Sequence, residues 1–266
     1  MNKMEKALRE LTEMDDLAAG DSPVHGLSPF AKLITTVVYI VTVVSFDKYD
    51  LAGLAAMVIF PALLFSVSGI SVRTALYKMR IVLPLVMAVG VLNPFFDRQV
   101  LLKLGGISLS GGVISMLTLM MKGVFCLMAS FLMMATTKIE ALCAALRKIH
   151  VPEMLVTLLL LTYRYVSVLT EELAVMTDAY HLRAPGQKGI HVSAWGSFLG
   201  QLLLRSRDRA EELYQSMLLR GFHGEFSYAE TVRIRIRDLV YMAAGIGGCL
   251  LFRYGDVVTM LGRMVV

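Results

Sequence analysis

Residues 111–137 read Gly-Gly-Val-Ile-Ser-Met-Leu-Thr-Leu-Met-Met-Lys-Gly-Val-Phe-Cys-Leu-Met-Ala-Ser-Phe-Leu-Met-Met-Ala-Thr-Thr, an apolar run broken by a single charge, Lys122. A helix needs about 20 apolar residues to cross the hydrocarbon of a bilayer, and this stretch supplies them. A charge near the middle of such a span costs at least about 2.5 kcal/mol unless it finds a partner or water. Either the span starts later, or Lys122 faces the interior of a helix bundle. The rest of the chain agrees with a membrane setting: 56 % of its residues are hydrophobic, 18 % are charged and the mean hydropathy is +0.66. A soluble domain is nearer half apolar and about a quarter charged.

Working outward, four more segments are apolar enough to count as spans when flanking side chains snorkel: Phe30 to Phe46, Leu51 to Ile70, Ile81 to Phe96 and Leu239 to Tyr254. Ser28-Pro29 opens the first with a favoured cap and a first-turn proline. Pro61 and Pro84 fall inside the second and third, and predict kinked helices whose freed carbonyls are satisfied by neighbours. The start, Met1 to Ala19, carries several acidic residues and lacks the continuous apolar core of a cleavable signal, so it is expected to be retained. Met4, Leu8, Leu11 and Ala18 recur at helical spacing there, predicting a short amphipathic helix stopped by Gly20-Asp21-Ser22-Pro23.

Basic residues fix the expected orientation. Lys3, Lys6, Arg9 and Lys32 precede the first span, and Arg73, Lys78 and Arg80 separate the second from the third. Lys138, Arg147 and Lys148 follow the fourth, and Arg233, Arg235 and Arg237 precede the fifth. Lys48, Arg98, Lys103, Arg253 and Arg263 fall on the other side. This bias puts the N-terminus in the cytoplasm and the C-terminus outside. It also accounts for the net charge of +5 without a nucleic-acid partner.

Residues 138–238 have mixed character. A short helix over Lys138 to His150 places Ile139, Leu142, Cys143, Leu146 and Ile149 on one side, and a new helix starts at Val151-Pro152-Glu153. From Met154 to Leu169 this second helix would pass for a sixth span, yet it runs on into Glu171, Glu172 and Asp178. Its only return partner, Val192 to Leu204, is too short to cross. Two long helices lying partly in the interface are therefore expected. The second runs from about Val192 to Leu219, with Trp195, Phe198, Leu199, Leu202, Leu203, Leu213, Met217 and Leu218 at helical spacing and Arg205, Arg207, Asp208, Arg209, Glu211 and Glu212 between them.

Both helices end alike, in Leu182-Arg183-Ala184 and in Leu219-Arg220-Gly221. An arginine at a helix C-terminus is favourable in its own right, facing the negative end of the macrodipole, and Gly186 and Gly221 are ordinary C-terminal stops. The repetition on consecutive helices suggests a second use. The endings are candidate grips for a soluble partner.

At these residues the chain resembles a known family, the transmembrane T component of energy-coupling factor (ECF) importers, and within it the cobalt-type members called CbiQ. The resemblance rests on Ser22-Pro23-Val24-His25-Gly26-Leu27-Ser28-Pro29-Phe30-Ala31-Lys32, Asn93-Pro94-Phe95-Phe96-Asp97, Ala135-Thr136-Thr137 and Tyr163-Arg164-Tyr165. It also rests on the run Gln201 to Ala210 and on Met217-Leu218-Leu219-Arg220-Gly221-Phe222-His223-Gly224. It implies an all-α integral membrane protein in which two coupling helices end in Ala-Arg-Gly-like motifs. The arginines of those motifs dock on two ATPase subunits, and a separate membrane subunit binds the substrate, cobalt or nickel. The ATPase-docking residues it implies here are Leu182, Arg183, Ala184, Leu219, Arg220 and Gly221. Leu-Arg-Ala departs from the family pattern at the small residues and keeps the arginine.

The expected fold is thus about five transmembrane helices plus two or three long amphipathic cytoplasmic coupling helices. Residues 1–29 form a cytoplasmic segment, 30–137 a four-helix membrane region, 138–238 the coupling region, and 239–266 the last span and tail. No phosphate loop or hydrolase motif occurs, so no catalytic residue is expected, and ATP would sit on the partner ATPases. Gly245-Ile246-Gly247-Gly248 reads as helix packing. His25, His150, His181, His191 and His223 lack ligand spacing, and Cys126, Cys143 and Cys249 are scattered, so no metal ligand or resident cofactor is expected in this chain. Three other readings stay open: a T component serving vitamin-binding subunits, a self-contained secondary transporter, and a membrane scaffold with no transport role.

Overall fold

The computed structural model describes residues 12–96, 100–104, 107–187, 189–222 and 235–254. Met4, Leu8, Leu11, Asp97, Arg98, His223, Gly224, Arg233 and the tail from residue 255, with Arg263, lie outside the described residues. The described part of the N-terminal stretch is helical over residues 12–18. Ten helices and a hairpin follow: α1 (Pro29–Ser45), α2 (Leu51–Ala56), α3 (Ile59–Ser68), α4 (Val72–Met79), α5 (Leu83–Phe96), β1 (Val100–Leu104), β2 (Ile107–Ser110), α6 (Gly111–Ala135), α7 (Ile139–Lys148), α8 (Glu153–Arg183), α9 (Trp195–Leu219) and α10 (Ile236–Tyr254). The architecture is helical, as expected, apart from the antiparallel pair β1–β2, which carries Lys103 and lies between the segments read as the third and fourth spans.

By contact density the chain forms two units, one of Met1–Asp16 with Ile139–Thr231, the other of Leu17–Lys138 with Val232–Val266. In the second unit α6 is the central element. It packs against α1, α2, α3, α4 and α5, while α10 lies on α1. The core gathers Tyr39, Val43, Phe46, Leu54, Met57, Phe125, Ala129 and Cys249. Tyr39 stacks on Phe60 with ring centroids 4.5 Å apart and donates its hydroxyl to the Met57 carbonyl at 2.9 Å, so the one polar atom it buries is satisfied. Glycine permits the closest approach, between α5 and α6. A Cβ on Gly123 would collide with Val86, and one on Gly90 would meet Met120 Cγ at 2.7 Å.

Lys122 faces the protein. Its ammonium donates to the carbonyls of Val44, at 3.1 Å, and Phe46. Arg253 of α10 donates to the carbonyl between them, Ser45, at 3.2 Å, and its guanidinium lies 5.0 Å from the Phe46 ring centroid. Two cations from other helices thus satisfy the last carbonyls of α1, which has neither a basic residue in its own last turn nor a glycine cap.

The prolines correct the expectation of kinks. The segment Leu51 to Ile70 is two helices, broken around Met57 and Val58, and Pro61 stands in the first turn of α3. Pro84 is the second residue of α5. First-turn prolines lose no helical hydrogen bond, because those N–H groups have no partner within the helix. After α3 the chain turns through 113° into α4, by way of Gly69 at φ 72°. Among the described residues, α6 and α8 are each long and apolar enough to cross a membrane, and α2–α3 with α4 form a bent pair of comparable apolarity. The helix over Met154 to Leu169, read as interfacial, is therefore part of a continuous 31-residue helix that meets the length of a crossing.

Candidate functional site

The unit that carries the two arginine endings is built from α7, α8 and α9. α7 closes on His150, whose φ of 66° is the left-handed conformation usually left to glycine. The Val151 and His150 N–H groups bond back to the Leu146 and Arg147 carbonyls, the pattern of a Schellman stop. Pro152 then caps α8, and an Arg147–Glu153 ion pair spans the turn. His150 sets the stop of α7, His191 Nδ1 meets Ser193 Oγ at 2.8 Å, and His181 is exposed. Burial pushes the Cys143 thiol up, with Glu140 adding to the effect, which keeps it protonated. Among the described residues no group of three or more His, Cys, Asp or Glu side chains is placed to hold a metal ion.

α8 and α9 meet at one end only. Glu172 pairs with Arg205, and a groove of about 380 Å³ runs between the last turns of α8 and the first turns of α9, lined by Met176, Tyr180, Arg183, Ser197, Phe198 and Gln201 among others. Tyr180 straps the connecting loop. Its hydroxyl donates to Gln187 Oε1 at 2.9 Å and accepts from the His191 N–H at 3.2 Å. Neither Tyr180 nor the Glu172–Arg205 pair was singled out in the sequence as part of the site; a tyrosine one turn before the ending was the available signal.

The six docking candidates sit at two helix ends with different backbone geometry. Leu182 and Arg183 are the last residues of α8, and Ala184 is its cap at φ −126° and ψ 65°, bonded through its N–H to the Tyr180 carbonyl at 3.0 Å. Leu219 is the last residue of α9 and Arg220 its cap. There Gly221, at φ 81°, and Phe222 return their N–H groups to the Leu218 and Met217 carbonyls, both at 3.0 Å, in a complete Schellman motif. So the endings that match as sequence are offset by one residue as structure. What they share is exposure. Leu182 is 84 % and Leu219 89 % exposed, Arg183 and Arg220 are exposed beside them, and neither arginine has an acidic partner among the described residues.

The structure does not bring the two endings together. Arg183 borders the start of α9 and Arg220 lies at its finish, and a 25-residue helix at 1.5 Å per residue separates them by about 37 Å. Each ending is a protruding leucine beside a fixed cation, on its own helix tip. Such a pair can bury apolar surface in a pocket while its guanidinium makes several charge-assisted hydrogen bonds.

Residues 20–229, a stretch that contains both endings, match the family described as CbiQ, cobalt transport protein. An uncharacterised protein of Methanocaldococcus jannaschii is 28 % identical over 155 residues, 57 % of this chain and 53 % of that protein. The nickel permease LarQ of Lactiplantibacillus plantarum is 30 % identical over 117 residues, covering 44 % of this chain and 43 % of the permease. The cobalt transport protein CbiQ of Rhodobacter capsulatus is 35 % identical over 99 residues, covering 36 % and 40 %. The aligned stretches thus span about half or less of the length of these relatives.

Proposed function

The chain belongs to the CbiQ family of cobalt transport proteins, and from that premise we propose that it is the transmembrane coupling subunit of an ATP-driven, ECF-type importer of cobalt or nickel ions. It is a membrane protein of a transport family. In this reading residues 30–137 and 239–266 hold membrane spans, the latter with the tail, and residues 138–238 carry the coupling helices α8 and α9, whose Leu-Arg ends lie on the cytoplasmic side. The N-terminus is cytoplasmic and the C-terminus outside. Two ATPase subunits bind ATP, and a separate membrane subunit recognises the metal ion. The metal is cargo, and the names of the nickel permease and cobalt transport relatives support that choice of cargo.

The observation that carries the proposal is the pair of exposed Leu-Arg endings, one at each end of α9. Two ATPase subunits need two separate contacts, and endings set apart by the length of α9, about 37 Å, supply them. Burying each leucine contributes about 1.5–3 kcal/mol to docking. The arginine fork adds charge-assisted hydrogen bonds that lysine would not reproduce. Closure of the ATPases around ATP displaces the docked tips, and rigid helices pass the displacement on.

The test is Arg183→Glu combined with Arg220→Glu in the complete transporter, read as ATP-driven uptake of cobalt or nickel alongside co-purification of ATPase subunits. Charge reversal at both tips is expected to abolish uptake and release the ATPases while membrane insertion stays at the level of the parent. Uptake at the parent rate by the double variant sinks the proposal.

A further inference from the structure

The chain passes between its two units at three places, 16/17, 138/139 and 231/232. Beside each passage, and within the unit formed by Leu17–Lys138 and Val232–Val266, one network of polar side chains holds the backbone. At the first, the Leu17 carbonyl accepts from His25 Nε2 at 2.9 Å, and His25 Nδ1 meets Ser22 Oγ at 2.7 Å. At the second, Lys32 Nζ donates to the Thr136 carbonyl at 2.6 Å and to Thr137 Oγ1 at 3.3 Å. The remaining proton of that ammonium goes to the His25 carbonyl at 3.3 Å, which ties the second passage to the first. At the third, Asp238 accepts from the Arg235 N–H at 2.7 Å, reaching back over the first turn of α10 as the acidic member of a capping box does.

Asp238 also accepts from the Ser28 N–H at 2.8 Å, and Ser28 accepts in turn from the Lys32 backbone N–H at 3.2 Å. The first turn of α1 thereby links the carboxylate to the lysine. Ser28, read in the sequence as a side-chain cap, instead has its Oγ buried without a partner among the described residues, and its own N–H goes to Asp238, 210 residues away. Lys32 is 3 % and Asp238 2 % exposed. A buried ammonium holding three acceptors and a buried carboxylate holding two N–H donors lose much of their satisfaction if any one strand of the network moves alone. The described segments next to the passages, around Leu17–Lys32, Thr136–Thr137 and Arg235–Asp238, are therefore fixed as one body within their unit.

We infer that His25, Lys32 and Asp238 form the junction through which movement of residues 139–231 is delivered to the membrane helices, with Lys32 and Asp238 as positioning residues of the transport cycle. This deepens the coupling reading given above and rests on it for the direction of the work. The junction as a single body does not depend on that reading, so the two are tested separately.

The first measurement is amide hydrogen exchange on the purified full chain. Lys32→Met is expected to speed exchange about tenfold or more around all three passages together, residues 17–28, 134–139 and 235–240, while α2 and α3 stay at parent rates. Acceleration confined to residues 134–139 overturns the junction. The second measurement is metal uptake per ATP hydrolysed by the whole transporter in liposomes. Lys32→Met and Asp238→Asn are expected to lower that ratio about tenfold with hydrolysis within about twofold of the parent, and Lys32→Arg to recover most of it. A ratio equal to the parent's in both variants overturns the role in transport. Thr137→Val keeps the charge and removes one acceptor, and carries the test if Lys32→Met does not insert. It is expected to lower the ratio about threefold and to accelerate exchange at the same three segments, and parent values in both overturn the inference. Absence of ATPase subunits from the parent complex sinks the coupling reading, and the exchange result still decides the junction.

Discussion

α6 and α8 are alike in being long and apolar enough to cross a bilayer, and opposite in what the chain does with them. In the most apolar stretch of α6, 28 % of the residues are buried inside the chain, against 6 % in α8. α6 meets five other helices, and its one charge is spent on the carbonyls of α1. α8 leaves Met154, Leu155, Leu158 and Leu159 exposed along its first half, buries Val156, and has ion pairs to its neighbours, Arg147–Glu153 before it and Glu172–Arg205 farther along. Equal hydropathy therefore conceals two jobs. One helix organises a unit from within, and the other presents apolar surface to whatever surrounds the chain, lipid or another subunit.

Side-chain changes matched between the two helices should separate those jobs sharply. Gly123→Leu puts a branched side chain where even a Cβ collides with Val86. Overpacking of this kind costs about 3 kcal/mol or more when backbone must move. The expected outcome is loss of monodisperse protein on size exclusion in mild detergent. Leu158→Ala, on a side chain 60 % exposed, should leave yield and melting midpoint at parent values. Equal losses from both changes would mean that α8 is packed as α6 is. Next in size, Lys122→Met strips an ammonium from two carbonyls and should cost about 2 kcal/mol, read as a lower midpoint of thermal unfolding in detergent. An unchanged midpoint would mean that Arg253 and water suffice at the end of α1.

The sequence already contained both helices, the two endings and the choice that Lys122 had to make, because helical periodicity, terminal glycine and an isolated charge are local signals. It separated α6, read as a span, from α8, read as interfacial, by the charges that follow Leu169 and not by burial, because burial is a property of neighbours and hydropathy counts only the residue itself. Pro61 and Pro84 show the same limit at shorter range. A proline inside an apolar run marks equally a kink or a new first turn, and the break before α3 is decided by packing. At long range the Asp238 carboxylate takes the N–H of Ser28, the residue before α1, from more than two hundred positions away, so nothing near Ser28 signals it. The match between Leu182-Arg183-Ala184 and Leu219-Arg220-Gly221 was legible, and the one-residue offset between them was not. Gly186 stands two residues past the cap of α8, whereas Gly221 follows the cap of α9 directly.

The smallest expected effect is the most pointed for the comparison. Glu172 and Arg205 join α8 to α9 through an ion pair whose side chains are 35 % and 47 % exposed. Water competes with each partner, and two long side chains must be ordered to hold the contact, so exposed pairs of this kind are worth at most about 1 kcal/mol. Glu172→Gln should therefore shift the melting midpoint of the purified chain hardly at all, and less in 0.5 M salt than in 0.05 M, where screening is weaker, with salt levels roughly bracketing the Debye-length change that matters. A large loss, well beyond that of Lys122→Met, would mean that α8 is held to its own chain as firmly as α6 is, and that its apolar face is left over from packing. A small one, with parent insertion, places the partner of that face outside the chain.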